Sequence, residues 1–156
     1  MTKPTPHIIL RIRPPGWFFI FLVLAAACHY LVPATSIVLF SNAALGGVLF
    51  LFGFFFALYG NRLFAREGTE IDPLSPANRV LVTRGAFSIS RNPMYVGMVF
   101  GLLGIAIYVG TLPFFLVAVA QFCILNYGFI PFEEEKMERQ FGDEYRAYCK
   151  RVRRWL

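Results

Sequence analysis

Two long stretches of this sequence contain no charged residue, and this feature limits the possible folds more than any other. The stretches span residues 14–60 and 92–132, while all fifteen Lys/Arg and all nine Asp/Glu fall within 1–13, 61–91 and 133–154. Only 15% of the residues are charged, against about 25% in a typical soluble domain. Such a chain lacks the polar surface that a water-facing globule needs. The sequence therefore predicts an integral membrane protein.

Each uncharged stretch is long enough for two spanning helices of roughly 20 residues. Pro33 divides the first stretch, and Gly110-Thr111 divides the second. The predicted spans are 16–32, 37–59, 94–109 and 112–130. We expect an all-α, polytopic membrane protein with about four transmembrane helices.

A helical C-terminal tail, residues 133–156, is expected after the last span. Gly142 is suited to end its first helix in a left-handed conformation, and Asp143 can cap a second helix. Residues 61–92 form a connection of about thirty residues, which is longer than most loops and is typical of functional ones.

The charged blocks predict the orientation of the chain in the membrane. Four spans return the chain to the side on which it began, so all three blocks lie on one face. The positive-inside rule assigns this basic face to the cytoplasm. We expect both termini and any site in the tail to be cytoplasmic, in a bacterial inner membrane. Basic residues beside apolar spans suit lipid headgroups, so we expect membrane lipids as partners and no nucleic acid.

Glycine and asparagine have particular meanings inside spans. Gly97, Gly101 and Gly104 lie along one side of the third span, which predicts close contact with another helix or, alternatively, a groove for a lipid chain. Asn126 lies one turn from the cytoplasmic end of the fourth span, where a polar side chain is a site candidate. The three cysteines and two histidines are scattered, so no metal site is expected.

Two sequence blocks, residues 85–97 and 130–148, have a spacing that crossing a bilayer does not explain. One block begins the third span and the other follows the fourth, so a helical hairpin brings them to the same face. Arg91 offers a permanent cation for a carboxylate, and the glutamates 133 and 134 offer hydrogen-bond acceptors. Aromatic faces for a purine or a sulfonium come from Phe87, Tyr95, Tyr145 and Tyr148. These groups match the chemistry of S-adenosyl-L-methionine.

The same blocks resemble a known family. The full pattern begins with Leu81-Val82-Thr83-x-Gly85-x-Phe87 and continues with Arg91-Asn92-Pro93-x-Tyr95-x-Gly97, then Glu133-Glu134-x-x-Met137 and finally Phe141-Gly142-x-x-Tyr145-x-x-Tyr148. This pattern is similar to the integral membrane methyltransferases of the isoprenylcysteine carboxyl methyltransferase and phospholipid methyltransferase group. It covers about half of the chain, from residue 68 to the C-terminus.

The resemblance implies a methyltransferase that uses S-adenosyl-L-methionine as cofactor and acts on a lipophilic or amphiphilic acceptor. It implies that the matching residues contact the cofactor: Arg79, Val80, Leu81, Val82, Phe87, Asn92, Pro93, Met94, Tyr95 and Glu133. From their chemistry alone we add Tyr145 to the cofactor site, and Arg91, Glu134 and Asn126 as candidate catalytic residues.

Three positions depart from the family pattern. Members often have His at the position of Asn92 and Tyr at that of Phe87. The eukaryotic prenylcysteine enzymes carry an arginine for the substrate carboxylate where this chain has Phe129. The resemblance therefore supports the methyl-donor site more strongly than a prenylcysteine acceptor.

We expect a single domain. Residues 1–60 would form an N-terminal arm and the first two spans, and residues 61–156 would form the loop, the hairpin and the tail around the cofactor site. Two other functions fit the pattern: a membrane reductase of the sterol-reductase type that uses NADPH, and a non-enzymatic membrane protein. The chain has no GxGxxG fingerprint, so a soluble Rossmann-type methyltransferase is not supported. The acceptor and the oligomeric state stay open.

Overall fold

The computed structural model describes residues 8–32, 37–70, 75 and 78–156. Five α-helices occur in this part of the chain: α1 Pro14–Leu31, α2 Ala43–Glu67, α3 Pro93–Val109, α4 Leu112–Ile124 and α5 Ile130–Arg151. Short 3-10 turns lie at Ile8–Arg11 and Gly85–Ser88, and a π-helical turn, Leu125–Phe129, joins α4 to α5. The predicted all-α class is confirmed. The first seven residues and the predicted break at Pro33 lie outside the described residues.

The lengths and compositions of the helices fit a membrane protein. Three helical segments of the described chain are long and apolar enough to cross a bilayer: Pro14–Leu31, Ala43–Glu67 and the continuous helix Leu112–Arg151. The fourth apolar helix, α3, is shorter, with 17 residues. The prediction of a polytopic helical membrane protein is confirmed.

The second helix differs from its predicted bounds of 37–59 at both ends. It begins only at Ala43, because the Asn42 side chain caps it by accepting a hydrogen bond from the Leu45 N–H at 2.9 Å. It continues to Glu67 and ends at Gly68, whose φ of 63° is left-handed. The predicted bounds were wrong because hydropathy marks where lipid contact ends, whereas the backbone hydrogen bonds of a helix continue into water.

The fourth span and the tail form one continuous helix, where the sequence predicted two separate elements. The π-helical turn carries the chain from α4 into α5 without a loop. The predicted break at Gly142 is present as a kink within α5, with φ 51° and ψ −120°, a conformation open mainly to glycine. This kink turns the end of α5 so that Tyr145 and Tyr148 pack on Leu81.

The helix ends that carry charge gather at one end of the bundle. Arg13 before α1, Arg91 before α3 and Glu133 at the start of α5 line one cavity. The opposite end is held by uncharged contacts, including a 3.2 Å hydrogen bond between Thr111 Oγ1 and His29 Nδ1. The structure thus agrees with the predicted grouping of charge.

The closest helix contact lies between α2 and α3 and depends on glycine. A Cβ added at Gly53 would lie 2.6 Å from the carbonyl oxygen of Gly97, and one at Gly46 would lie 2.7 Å from that of Gly104. These backbones approach because no side chain separates them. The predicted close contact is confirmed for Gly97 and Gly104. The backbone nitrogen of Gly101 also belongs to it, at 2.7 Å from a Cβ added at Gly53, whereas a Cβ on Gly101 itself would meet Phe18 of α1 at an ordinary 3.5 Å.

Replacing Gly53 with Ala is expected to lower the thermal unfolding midpoint in detergent, since the added methyl group overlaps the α3 backbone. Overpacking of this kind costs about 1–3 kcal/mol. Gly47→Ala makes the same change in the same helix, where nothing lies within 4 Å of the added Cβ. It should leave the midpoint unchanged or raise it slightly. Equal midpoints for the two variants would contradict the packing described here.

Candidate active site

A cavity of about 380 Å³ lies among the charged helix ends. This volume falls within the roughly 300–1,000 Å³ of small-molecule sites. Its walls come from the first turn of α1, the end of α2, Glu70, residues 78–82, the start of α3 and one face of α5. Most of the sequence-predicted site residues line it: Leu81, Val82, Phe87, Arg91, Asn92, Pro93, Met94, Tyr95, Glu133, Glu134 and Tyr145.

Three predicted site residues lie outside this lining. The Arg79 side chain is 77% exposed and pairs with Glu70 at 3.2 Å, and Val80 is exposed beside it. Asn126 lies in the π-helical turn, where its Oδ1 accepts a hydrogen bond from the indole N–H of Trp155 at 2.9 Å. The Asn126 side chain therefore contacts the C-terminal segment and does not line the cavity.

The sequence prediction missed part of the lining: Arg13, Pro14, Pro15, Asn61, Phe64, Glu70, Asn78, Met98 and Lys136. Asn61 and Phe64 were missed because α2 was predicted to end before them. Their i, i+3 spacing places them on one helix face, and this signal was present in the sequence. Glu70 and Asn78 reach the cavity only through the folding of the loop, which no local pattern encodes.

Arg91 lies at the centre of the polar wall. Its Nη2 is 3.0 Å from Glu134 Oε1, and its Nη1 contacts the sulfur of Cys149. Its backbone N–H donates to the carbonyl of Arg153 at 2.9 Å, which joins the start of α3 to the C-terminal segment. The guanidinium is thereby held on two sides in a fixed orientation.

Two buried polar atoms of the cavity-lining residues have no hydrogen-bond partner among the described residues. They are Arg91 Nε, a donor, and Asn78 Oδ1, an acceptor. Buried polar groups in folded proteins are almost always hydrogen-bonded. One unpaired donor and one unpaired acceptor therefore suit a ligand with both an anionic oxygen and an N–H group.

Glu134 bridges two arginines. Besides Arg91, it accepts from Arg154, with Nη2 2.5 Å from Oε2 and Nε 3.1 Å from Oε1. Hydrogen bonds from Arg154 to Glu134 raise the pKa of Arg154 above its ordinary value. The Arg–Glu–Arg group thus carries one net positive charge at the cavity wall.

Glu133 faces the same cavity and is tied to α3. The Tyr95 hydroxyl donates a hydrogen bond to Glu133 Oε1. Tyr95 is itself fixed, since its backbone N–H donates to the Asn92 carbonyl and its ring packs near Phe129. Glu133 is therefore a hydrogen-bond acceptor held in a fixed orientation, whereas the neighbouring Glu134 pairs with Arg91 and Arg154.

Aromatic rings form the apolar part of the lining. The rings of Phe87 and Phe64 stack 4.7 Å apart and almost parallel. The Tyr148 hydroxyl donates to the Phe87 carbonyl at 2.6 Å, and Tyr145 and Tyr148 pack with Leu81. These contacts fix flat apolar faces, which suit a planar base.

The 70–82 loop is tied down at Glu70 and Asn78. The backbone N–H of Asn78 donates to Gln140 of α5 at 2.8 Å, and that of Arg79 donates to Glu70 Oε2 at 3.0 Å. The pKa of Glu70 is lowered by its own backbone N–H first and then by the N–H and guanidinium of Arg79, against desolvation. Glu70 and Asn78 are thus held in place in the cavity wall.

Glu70→Gln is expected to lower the thermal unfolding midpoint at pH 7. Because the folded-state pKa lies below the ordinary 4.5, the carboxylate stabilises the fold above that value. This stabilisation is lost as the pH falls through the folded-state pKa. The difference between wild type and variant should therefore be constant at pH 7 and 6 and shrink below about pH 4.

Thermal unfolding in detergent, followed by circular dichroism at several pH values, measures this difference. Glu144→Gln, at an exposed position of α5, is the matched control and should leave the midpoint unchanged at pH 7. A Glu70→Gln difference that persists at pH 3 would contradict the assignment.

Comparison with known proteins identifies the family. The family model for phospholipid methyltransferase matches residues 41–144. An uncharacterized protein of Haemophilus influenzae is 36% identical over 63 residues, which are 40% of this chain and the whole of that relative. No solved structure matches the chain significantly. The matched residues include the cavity-lining parts of α2 and α3 and most of those of α5. This match confirms the resemblance seen in the sequence. The chain belongs to the phospholipid methyltransferase family.

Proposed function

We propose that this protein is an S-adenosyl-L-methionine-dependent methyltransferase that acts on a lipophilic or amphiphilic acceptor. The observation that carries the proposal is the convergence of a fixed arginine, a positioned glutamate and an aromatic wall in one cavity. Membership of a methyltransferase family supports methyl transfer as the reaction.

The residues present fit this cofactor. The unpaired Nε of Arg91 suits its carboxylate, and the unpaired Oδ1 of Asn78 suits its ammonium or adenine amino group. Glu133 is an acceptor for ribose hydroxyls, and the ring of Phe87 offers a stacking face for adenine. When bound, S-adenosyl-L-methionine supplies a methyl group on a positively charged sulfur, which leaves as a neutral thioether once the methyl is bonded to the acceptor's nucleophilic atom.

The protein's own contribution is to orient the reactants and exclude water. Arg91 is fixed by Glu134 and Cys149, and Tyr95 fixes Glu133, so the polar groups need little rearrangement on binding. A displacement at carbon depends mainly on alignment and desolvation. This agrees with a lining that contains no histidine among the described residues.

The acceptor side of the cavity adjoins the spans. Pro14 and Pro15 in the first turn of α1 and Met98 in α3 line it where the apolar helices begin. Such a position supports entry of an acceptor from the bilayer. Phe129 is fully buried against Tyr95 and Leu10 and lies outside the lining, so recognition of an acceptor carboxylate by an arginine at this position is not supported. With basic residues at this end of the bundle, we propose that the site faces the cytoplasm.

Calorimetry on the detergent-purified protein tests the cofactor. S-adenosylhomocysteine should bind the wild type, and Glu133→Gln should weaken binding roughly 10-fold or more, since one carboxylate oxygen that can accept a hydrogen bond is replaced by an amide NH2 group that can only donate. Glu135→Gln is the matched control, because Glu135 is exposed and pairs with Arg139 away from the cavity. It should bind as tightly as wild type.

The same titration separates the other two functions. Binding of NADPH in place of S-adenosylhomocysteine would overturn the proposal in favour of a membrane reductase. Binding of neither nucleotide would overturn it in favour of a non-enzymatic membrane protein.

The acceptor class can be measured directly. Lipid extracts incubated with the protein and a donor carrying a labelled methyl group should yield labelled product in the organic phase. Glu133→Gln should lower that yield and Glu135→Gln should not. Label confined to water-soluble products would contradict a lipophilic or amphiphilic acceptor.

A further inference from the structure

We propose that Arg154 is a positioning residue of the cofactor site, which acts through Glu134 to keep the charge of Arg91 available to the anionic end of the ligand. This inference rests on the proposed function and extends it to a residue outside the cavity lining. Arg154 follows the end of α5, so its place beside the site is decided by the fold.

The geometry is that of one carboxylate shared by two guanidinium groups. Arg154 binds both oxygens of Glu134, at 2.5 and 3.1 Å, and Arg91 binds Oε1 at 3.0 Å. The Glu134 side chain is 20% exposed and that of Arg91 is 15% exposed, so solvent screens their interaction only partly.

The consequence of this arrangement is electrostatic. Without Arg154, Glu134 would neutralise Arg91 alone, and the pair would offer no net charge to a carboxylate. With Arg154 bound, the group keeps one net positive charge, and Glu134 is held in the orientation that leaves Arg91 Nε unpaired. Arg154 thus acts on the ligand only through its neighbours.

The backbone of Arg154 is hydrogen-bonded to the residues just before α3. The C-terminal strap, residues 153–155, accepts hydrogen bonds at the Arg154 carbonyl from Asn92 Nδ2 at 3.0 Å and from Ser90 Oγ at 3.3 Å. These bonds align the strap with the first turn of α3, which itself lines the cavity.

Trp155 anchors the other side of the strap. Its indole N–H donates to Asn126 Oδ1 at 2.9 Å, and its ring lies 4.9 Å from that of Phe122. This contact gives Asn126 a defined place in the site: it positions the strap from the π-helical turn and does not touch the ligand cavity.

Two ligands distinguish positioning of Arg91 from general damage to the fold. S-adenosylhomocysteine carries the carboxylate, whereas methylthioadenosine keeps the adenosine and the thioether but lacks both the carboxylate and the amine. By calorimetry, Arg154→Gln should weaken S-adenosylhomocysteine binding about tenfold, the equivalent of one charge-assisted hydrogen bond. It should leave methylthioadenosine binding unchanged.

Three further variants complete the test. Arg154→Lys keeps the charge and should restore part of the lost affinity, and Trp155→Phe should give a smaller loss of the same kind. Arg151→Gln, the same change at an exposed position of α5, should have no effect. In a Glu134→Gln background, Arg154→Gln should cause no further loss of S-adenosylhomocysteine affinity, because the carboxylate through which Arg154 acts on Arg91 is already removed.

The outcomes separate this inference from the function on which it rests. If wild type fails to bind S-adenosylhomocysteine, the proposed function is overturned. If wild type binds it and Arg154→Gln binds both ligands normally, or weakens both equally, the positioning role is overturned while the proposed function stands.

Discussion

The hydrocarbon core of a bilayer can neither hydrate a charge nor hydrogen-bond an open backbone, and every level of this structure follows from that limit. The two uncharged stretches become helices, because only helices satisfy their own backbone groups. Their charged flanks must leave the apolar layer, and Arg13, Arg91 and Glu133 from three of these flanks line one cavity. This constraint alone concentrates the polar groups that could bind a ligand in a small region. Tertiary contacts then fix the position of each group.

Helix packing then sets where each flank emerges. The glycine contact between α2 and α3 brings the two backbones close, so the extension of α2 beyond the apolar layer reaches the start of α3. Phe64 can therefore stack on Phe87, and Asn61 can face the cavity. On the other side, the π-helical turn and the kink at Gly142 direct α5 so that Tyr145 and Tyr148 pack on Leu81.

The electrostatics of the site depend on parts of the chain that are far apart in sequence. Arg91 precedes α3, Glu134 lies in α5 and Arg154 lies in the strap. Each charge is partly desolvated, so each needs its neighbours for stability as well as for orientation. The polar wall of the cavity therefore consists of charges that are already paired and oriented.

The sequence by itself determined the all-helical membrane class, the family and about half of the cavity lining, because hydropathy and short spacings are local properties. It placed Arg91 and Glu133 on one face correctly, since a helical hairpin leaves no other arrangement. Only the tertiary structure decided that α2 extends to Glu67, that Asn78 enters the cavity, and that Asn126 binds Trp155. These features depend on contacts between residues distant in sequence, whose energies no local pattern records.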